Sequence, residues 1–356
     1  MLITDPSELE QYSAKHRIWQ GIPGVEVTRR GRIFVCFYSG GMKEEIGNYA
    51  LLLMSDDWKR FRDPLAVAKT EGKRCYDPCL WIDPEGRLWF FWAESPKNAV
   101  LAAVCDDPDA ENPVFSKPRK ISEDVMMNKP IVAKDGRYLL PVAVWAENVK
   151  PGGYDYKEVK ENGAFVVVSR DRGETFEKTG RVDLPDRSFD EHMLVERKDG
   201  SIRMYVRTYY GIGMADSFDG GKTFEPGQDS GLGGPNSRFF IGRLKSGRLL
   251  LVNHVGFTKR DHLTALLSED DGKTWPYRLL IDAREKVSYP DAKQTEDGTI
   301  YIVHDRDRGY YKKTLREMSE AEREILISKI REEDIIAGRL VSSGSVLCRI
   351  VSKLTT

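Results

Sequence analysis

The sequence predicts an all-β chain closed into a six-bladed β-propeller, and three observations carry that prediction. The first is a motif, S-x-D-x-G-x-T-[FW], that recurs with high fidelity from Ser169 to Phe176, from Ser217 to Phe224 and from Ser268 to Trp275. The second is a longer pattern, a short extended segment followed by a Gly-containing turn and an apolar run, that occurs six times. The third is phase. Both patterns repeat at about 50 residues, the length of one four-stranded blade. No linker-like stretch interrupts them, so residues 1–356 are expected to form a single propeller domain. Length alone suggests two or three domains, and the phased repeats override that prior.

The units open in turn at Ile22-Pro23, Asp77-Pro78, Lys129-Pro130, Glu191-His192, Ser237-Arg238 and Tyr289-Pro290. Each runs into a turn, at Gly31, Gly86, Asp135-Gly136, Asp199-Gly200, Ser246-Gly247 and Asp297-Gly298. Gly supplies φ > 0 there, and Asp-Gly or Ser-Gly between apolar runs signals a hairpin. The runs Leu88–Ala93, Leu139–Trp145, Met204–Arg207, Leu249–Asn253 and Ile300–Val303 read as buried strands. In the short motif, Ser and Asp oxygens accept turn N–H groups, and the aromatic ring anchors the turn on the sheet. A worn copy sits at Ser55-Asp56-Asp57-Trp58. The stretch 318–338 departs from the β pattern. Ser319 to Glu322 has the form of a capping box, and Glu332–Ala337 before Gly338 reads as a short helix. Ile325–Ile327 between them suits a strand or a helical turn.

Lys and Arg total 55 against 56 Asp and Glu, a formal net charge of −1. Such a chain has no general electrostatic attraction for nucleic acid or an anionic membrane, so neither is an expected partner. An anionic ligand must be met by a local cluster of cations. No window approaches the ~20 apolar residues of a membrane span. The start, Met1 to Pro6, lacks a basic segment followed by an apolar one. That points to a cytoplasmic protein as given, or to a secreted or periplasmic one if a leader has been removed. Cys36, Cys75, Cys79, Cys105 and Cys348 are odd in number and read as reduced, buried thiols. No H-E-x-x-H, EF-hand spacing, phosphate-binding Gly loop or G-x-S-x-G elbow occurs, so no metal or cofactor is expected.

Inner strands of a propeller begin around a central pocket. Polar residues at the unit openings therefore carry functional weight: Asp77, Asn128, Lys129, Glu191, His192, Arg238, Tyr289 and Asp291. Each also has a structural reading. Glu191 and Arg207 can form an ion pair in the pocket wall. Tyr289 can be a packed aromatic with a satisfied hydroxyl. His192 titrates near neutral pH and can act as a base, or sit hydrogen-bonded in the wall. His254 and His304 end strands and read as core or loop residues. Arg74, Arg306 and Arg308 read as solvated-face residues, with Arg306 the first candidate for an exception. Asp171, Asp219 and Asp270 belong to turns and read as structural.

The three S-x-D-x-G-x-T-[FW] motifs resemble the Asp boxes, or BNR repeats, of the sialidase superfamily, and the likeness extends over roughly residues 18–352. The resemblance implies a pocket in which three arginines hold a substrate carboxylate, a Tyr–Glu pair supplies the nucleophile, and an Asp serves as acid/base. Arg pairs a carboxylate bidentately, and a tyrosine needs a neighbouring base to become nucleophilic. On this sequence Glu191 matches the family Glu, Arg207 the second arginine, and Tyr289 the nucleophile; Arg238 is a weaker match to a triad arginine. Two departures stand out. The family's Arg-Ile-Pro opening is Gly21-Ile22-Pro23 here, and the loop expected to carry the Asp reads Gly40-Gly41-Met42-Lys43-Glu44-Glu45. Glu44 or Glu45 is then the expected acid, with Arg207, Arg238, Asp77, Lys129 and Asp291 as expected substrate contacts. The resemblance thus implies a sialidase-like glycoside hydrolase acting on a carbohydrate, re-tuned away from a true sialidase. The alternatives are a non-catalytic glycan-binding propeller and a lyase or hydrolase working through His192.

Overall fold

The apolar runs become the second strands of six antiparallel sheets. The computed structural model describes residues 1–145, 147–150, 153–156, 162–309 and 312–354. Blade I comprises Trp19–Val27, Ile33–Gly40, Tyr49–Ser55 and Arg62–Ala68, with Leu2–Ile3 added at its outer edge. Blade II comprises Arg74–Ile82, Leu88–Ser95, Ala99–Cys105 and Arg119–Ser122, and blade III Ile131–Val132, Tyr138–Val144, Gly163–Ser169 and Glu177–Val182. Blade IV holds Met193–Glu196, Ile202–Thr208, Gly211–Ser217 and Gln228–Gly233. Blade V holds Phe240–Arg243, Leu249–Asn253, Leu263–Ser268 and Tyr277–Asp282, and blade VI Val287–Gln294, Ile300–Arg306, Glu324–Ile330 and Val346–Lys353. Consecutive strands of each blade are neighbours in its sheet. A separate two-stranded ribbon pairs Glu147–Lys150 with Gly153–Tyr156.

Each blade packs against its neighbours, which explains why its middle strands are largely buried. Leu88–Ser95 is buried at every position. One apolar cluster joins Phe34 and Leu52 of blade I to Leu80, Phe90 and Trp92 of blade II. All five cysteines are unpaired; four are buried and Cys348 is half-buried.

The Asp boxes join the third strand to the fourth. In blade IV, Ser217 Oγ donates to Asp219 Oδ1 (2.8 Å) and accepts from Gly221 N–H (2.8 Å), while Thr223 donates N–H and O–H to the same carboxylate at 3.0 and 2.6 Å. Blades III and V repeat these bonds around Asp171 and Asp270. Their Thr side-chain bonds, aided by backbone N–H groups, hold both carboxyls down at about 2. The worn copy keeps part of the pattern: Lys59 and Arg60 N–H groups donate to Asp57 at 2.8 and 2.9 Å. The box aromatic reaches the neighbouring blade, as Phe176 does against Trp89 with ring centres 6.4 Å apart.

Blade I is wholly N-terminal and blade VI wholly C-terminal, so no exchanged strand closes the ring. Side chains bridge the seam. Asp305 Oδ2 accepts Ile22 N–H (2.7 Å), Asp291 Oδ2 accepts Val25 N–H (2.8 Å), and Gln20 Nε2 donates to the Arg323 carbonyl (2.7 Å). At the C-terminal end Ile325–Ile327 is strand, and Glu332–Ala337 is a helix ended by left-handed Gly338 at φ 65°. Ser319 ends a helix, Leu315–Ser319, and caps none; Thr314 is the N-cap of that helix. Among the described residues no helix is long and apolar enough to cross a membrane.

Candidate functional site

The site begins with a backbone irregularity that three blades share. The inner hairpins of blades I, II and VI shift register between Gly21 and Gly24, Tyr76 and Cys79, and Ser288 and Asp291. Each bulge holds an X-Pro pair: Ile22-Pro23, Asp77-Pro78 and Tyr289-Pro290. Proline has no N–H to give the ladder, so the pairing breaks there. The residue before it adopts a left-handed backbone, φ 59° at Ile22, 47° at Asp77 and 54° at Tyr289. Such a conformation costs about 1–3 kcal/mol per residue and clusters at functional sites. It turns all three side chains into one cavity of about 690 Å³ at the centre of the propeller.

Glu191, Arg207 and Tyr289 meet in this cavity. Arg207 Nη1 lies 2.6 Å from Glu191 Oε1, and the Tyr289 hydroxyl lies 3.4 Å from each of those atoms. Arg207 is fixed from behind by the side chain and carbonyl of Asn236. Among the described residues, Glu191 Oε2 is buried without a hydrogen-bond partner. Burial raises the Tyr289 phenol above its ordinary value, and the charge of Glu191 adds to the rise. The resting group is therefore a neutral phenol with a carboxylate in reach of its proton.

Arg308 and Arg74 grip Glu44 from opposite sides, at 3.1 and 2.8 Å. Those two guanidinium groups hold Glu44 below the ordinary carboxylate range against the opposing effect of burial. Asp77 behaves oppositely. Burial pushes its carboxyl up to about 7, Arg74 pulls it down, and the charges of Glu44 and Glu191 raise it further. The cavity thus pairs an ionised Glu44 with an Asp77 that titrates near neutrality. Arg260 completes the cluster: it donates to the Asn236 carbonyl (2.8 Å) and lies 5.3 Å from the centre of the Tyr289 ring. Trp145 and Phe189, ring centres 5.4 Å apart, give the cavity an aromatic wall.

Other expected site residues lie elsewhere. Lys129 is buried beneath the cavity, where its ammonium meets Glu26 (3.0 Å), Asp291 (3.1 Å) and the Leu80 carbonyl (2.8 Å). Asp291 belongs to that network and not to the cavity lining, because it falls two residues past the Tyr289 bulge. Arg238 is 1% exposed and donates to the carbonyls of Pro23 and Pro290, both at 3.2 Å. His192 is turned into the wall, its ring nitrogens 2.7 and 2.8 Å from the carbonyls of Asp190 and Phe165, and burial lowers its tendency to protonate. Glu45 bonds Asn48 through its N–H (2.6 Å) and does not line the cavity, unlike Glu44.

The reading of Arg74 and Arg308 as solvated-face residues is overturned, since their side chains are 3% and 9% exposed and line the cavity. Arg306, the expected exception, pairs instead with Glu324 at 3.0 Å. Arg260 had no pattern to mark it; it lies in an irregular segment before the third strand of blade V. Away from the cavity, Asp282, His304 and Cys348 bring three ligand-type atoms within 4.8 Å. Asp282 is already bonded there by Arg284 (2.7 Å) and His304 (3.0 Å), so its charge is matched by a guanidinium.

The BNR repeat-like domain family matches residues 31–302, most of the chain. This chain belongs to that family. The sialidase of Micromonospora viridifaciens is 28% identical over 170 residues, an alignment covering 43% of this chain and 26% of that protein. The chain therefore matches about a quarter of that curated relative's length. Among solved structures, the intramolecular trans-sialidase of Ruminococcus gnavus aligns with a TM-score of 0.69 at 13% identity, covering 92% of this chain and 97% of that one. The leech intramolecular trans-sialidase aligns with a TM-score of 0.70 at 12% identity, covering 92% and 70%. At these identities the structural likeness establishes a shared fold. The protein is a sialidase-like BNR-repeat propeller.

Proposed function

We propose that this BNR-repeat propeller hydrolyses a glycosidic bond in the central cavity. The observation that supports this reading most is the contact of Tyr289 with Glu191 and Arg207 on the wall of a sugar-sized space. In the reaction the Tyr289 oxygen attacks the anomeric carbon as its proton passes to Glu191. The bond to the leaving oxygen breaks with its electron pair, and that oxygen takes a proton from Asp77. Water then attacks the same carbon and returns a proton to Asp77, while Tyr289 departs and recovers its proton from Glu191. A carboxyl raised toward neutrality by burial has the form of a general acid. That assigns the acid to Asp77 in place of Glu44 or Glu45, because Glu44 is pinned ionised between two arginines. Tyrosine nucleophiles are a known exception to the usual carboxylate pair of glycosidases.

A panel of fluorogenic 4-methylumbelliferyl glycosides tests the reading: a sialoside, a glucuronide, a galactoside, a glucoside and an arabinofuranoside. Release of fluorophore from at least one is expected. With Asp77 as acid, kcat/KM falls as pH rises through about 7, the value to which burial pushes that carboxyl. Asp77→Asn removes this limb and most of the activity. Binding of a panel sugar without release favours the glycan-binding alternative, and an alkaline limb unchanged in Asp77→Asn removes Asp77 from the acid role.

A further inference from the structure

The bulges that turn Ile22 and Tyr289 into the cavity also release backbone groups. Pro23 and Pro290 fall where the register shifts, between Gly21 and Gly24 and between Ser288 and Asp291, so neither faces a ladder partner. Both prolines are buried, and a buried carbonyl without a partner is costly. One side chain serves both. Arg238, at the entry of blade V, donates from Nη2 to the Pro23 carbonyl of blade I and to the Pro290 carbonyl of blade VI, each at 3.2 Å.

The clamp joins three blades beside the candidate nucleophile. Its guanidinium carbon lies 5.9 Å from the centre of the Tyr289 ring. The bulge is tied on either side of Pro290 as well: Ser288 donates its O–H to Asp305 (2.7 Å), and Asp291 accepts the Val25 N–H (2.8 Å). A left-handed Tyr289 at φ 54° persists because its surroundings over-determine it. Among the described residues, Arg238 Nε and Nη1 are buried without a hydrogen-bond partner, which leaves Nη2 to carry both carbonyl bonds. The charge of Arg238 also reaches Asp77. Burial raises that carboxyl most, Glu44 and Glu191 add to the rise, and Arg74 and Arg238 oppose it. The Tyr38 phenol stands in the same field.

We propose that Arg238 is a positioning residue of the site: it clamps the proline carbonyls of the blade I and blade VI bulges, so aiming Tyr289 at the anomeric carbon, and it places its cation in the field of Asp77. The inference rests on the glycosidase reading. A nucleophile carried on a strained backbone is aimed only as well as that backbone is fixed, and a misplacement of about 1 Å can cost about 10²-fold in rate. The role is not that of a substrate contact, since Arg238 is 1% exposed and is not among the residues lining the cavity.

Steady-state kinetics and the pH profile of kcat/KM, on the best panel glycoside, test the assignment in three variants whose folding is checked by urea unfolding. Arg238→Met and Arg238→Gln remove the charge, and Arg238→Lys keeps a cation with donors for the same carbonyls. Both neutral variants are expected to lose about 10²-fold in kcat with KM within a few-fold of wild type. Their alkaline limb is expected to move to higher pH, because loss of a nearby cation disfavours the Asp77 carboxylate. Arg238→Lys is expected to keep the wild-type limb and recover most of the turnover. A folded neutral variant with unchanged kcat, or with its limb unmoved, overturns the assignment, as does a lysine variant as impaired as the neutral ones. Should neither neutral variant fold, Arg238→Lys decides: turnover within a few-fold of wild type supports the assignment, and its loss overturns it. Wild-type protein that turns over no panel glycoside removes the glycosidase reading and this inference with it, whereas turnover with an unmoved limb removes the role of Arg238 alone.

Discussion

Glu191→Gln is expected to lower kcat by about 10²–10⁴-fold with far less change in KM, the usual contribution of a positioned proton acceptor. Glutamine keeps the shape of the side chain but cannot take the phenol proton. Tyr289 is buried and its phenol is raised above the ordinary value, so it cannot ionise unaided near neutral pH. Glu191 Oε1 is the carboxylate oxygen bonded to that hydroxyl, at 3.4 Å, and Arg207 at 2.6 Å holds it in place. The substitution thus removes an interaction used in the transition state and leaves most of the substrate contacts in place. Steady-state kinetics on the best panel glycoside checks this. Turnover unchanged in Glu191→Gln would remove the Tyr289–Glu191 pair from the mechanism.

Lys129→Met is expected to cost about 3–5 kcal/mol of folding stability, the range for breaking a buried ion pair by deleting one partner. The ammonium of Lys129, from blade III, bonds the carbonyl and side chain of blade I (Val25 at 2.5 Å, Glu26 at 3.0 Å), the Leu80 carbonyl of blade II at 2.8 Å, and Asp291 of blade VI at 3.1 Å. Among the described residues, its removal leaves Glu26 with Lys293 as its one cation, at 2.8 Å, and leaves Asp291 with the Val25 N–H. Since blades I and VI share no strand, this pin is part of what closes the ring. The two carboxylates are stabilised in the fold by their cations, and Glu26 is held below its ordinary value. Its contribution is therefore present at neutral pH and lost as pH falls through the carboxylate range. Urea unfolding of the wild type and the variant measures the difference. A midpoint unchanged at pH 7 would show that the network is not what locks the axis.

The blades were legible in the sequence because their chemistry is local. A Gly turn, an Asp box and a run of apolar residues each act within about ten positions, and each leaves a pattern. Glu191 and Tyr289 are placed by their position at unit openings and, with Arg207, by the family resemblance, and the structure brings the three together. Position alone could not say which entry residue faces the cavity. That is decided by the bulge at X-Pro, which turns Tyr289 toward the space and leaves Asp291 inside the axis. Lys129 and Arg238 sit at the same kind of entry and spend their charges on backbone carbonyls and buried carboxylates. Arg74, Arg260 and Arg308 lie at strand ends or in irregular segments without periodic signal, so only the closed ring reveals them. Arg308 is the clearest instance, since its course depends on the empty space over Gly21, nearly the whole chain away.

Double displacement through Tyr289 fixes the configuration of the sugar released first. Proton NMR of the initial product, taken before mutarotation from whichever panel glycoside turns over, is predicted to show the anomeric configuration of the substrate, because two inversions at one carbon restore it. A first product of inverted configuration would contradict the account, since water would then have attacked the sugar without Tyr289 in between.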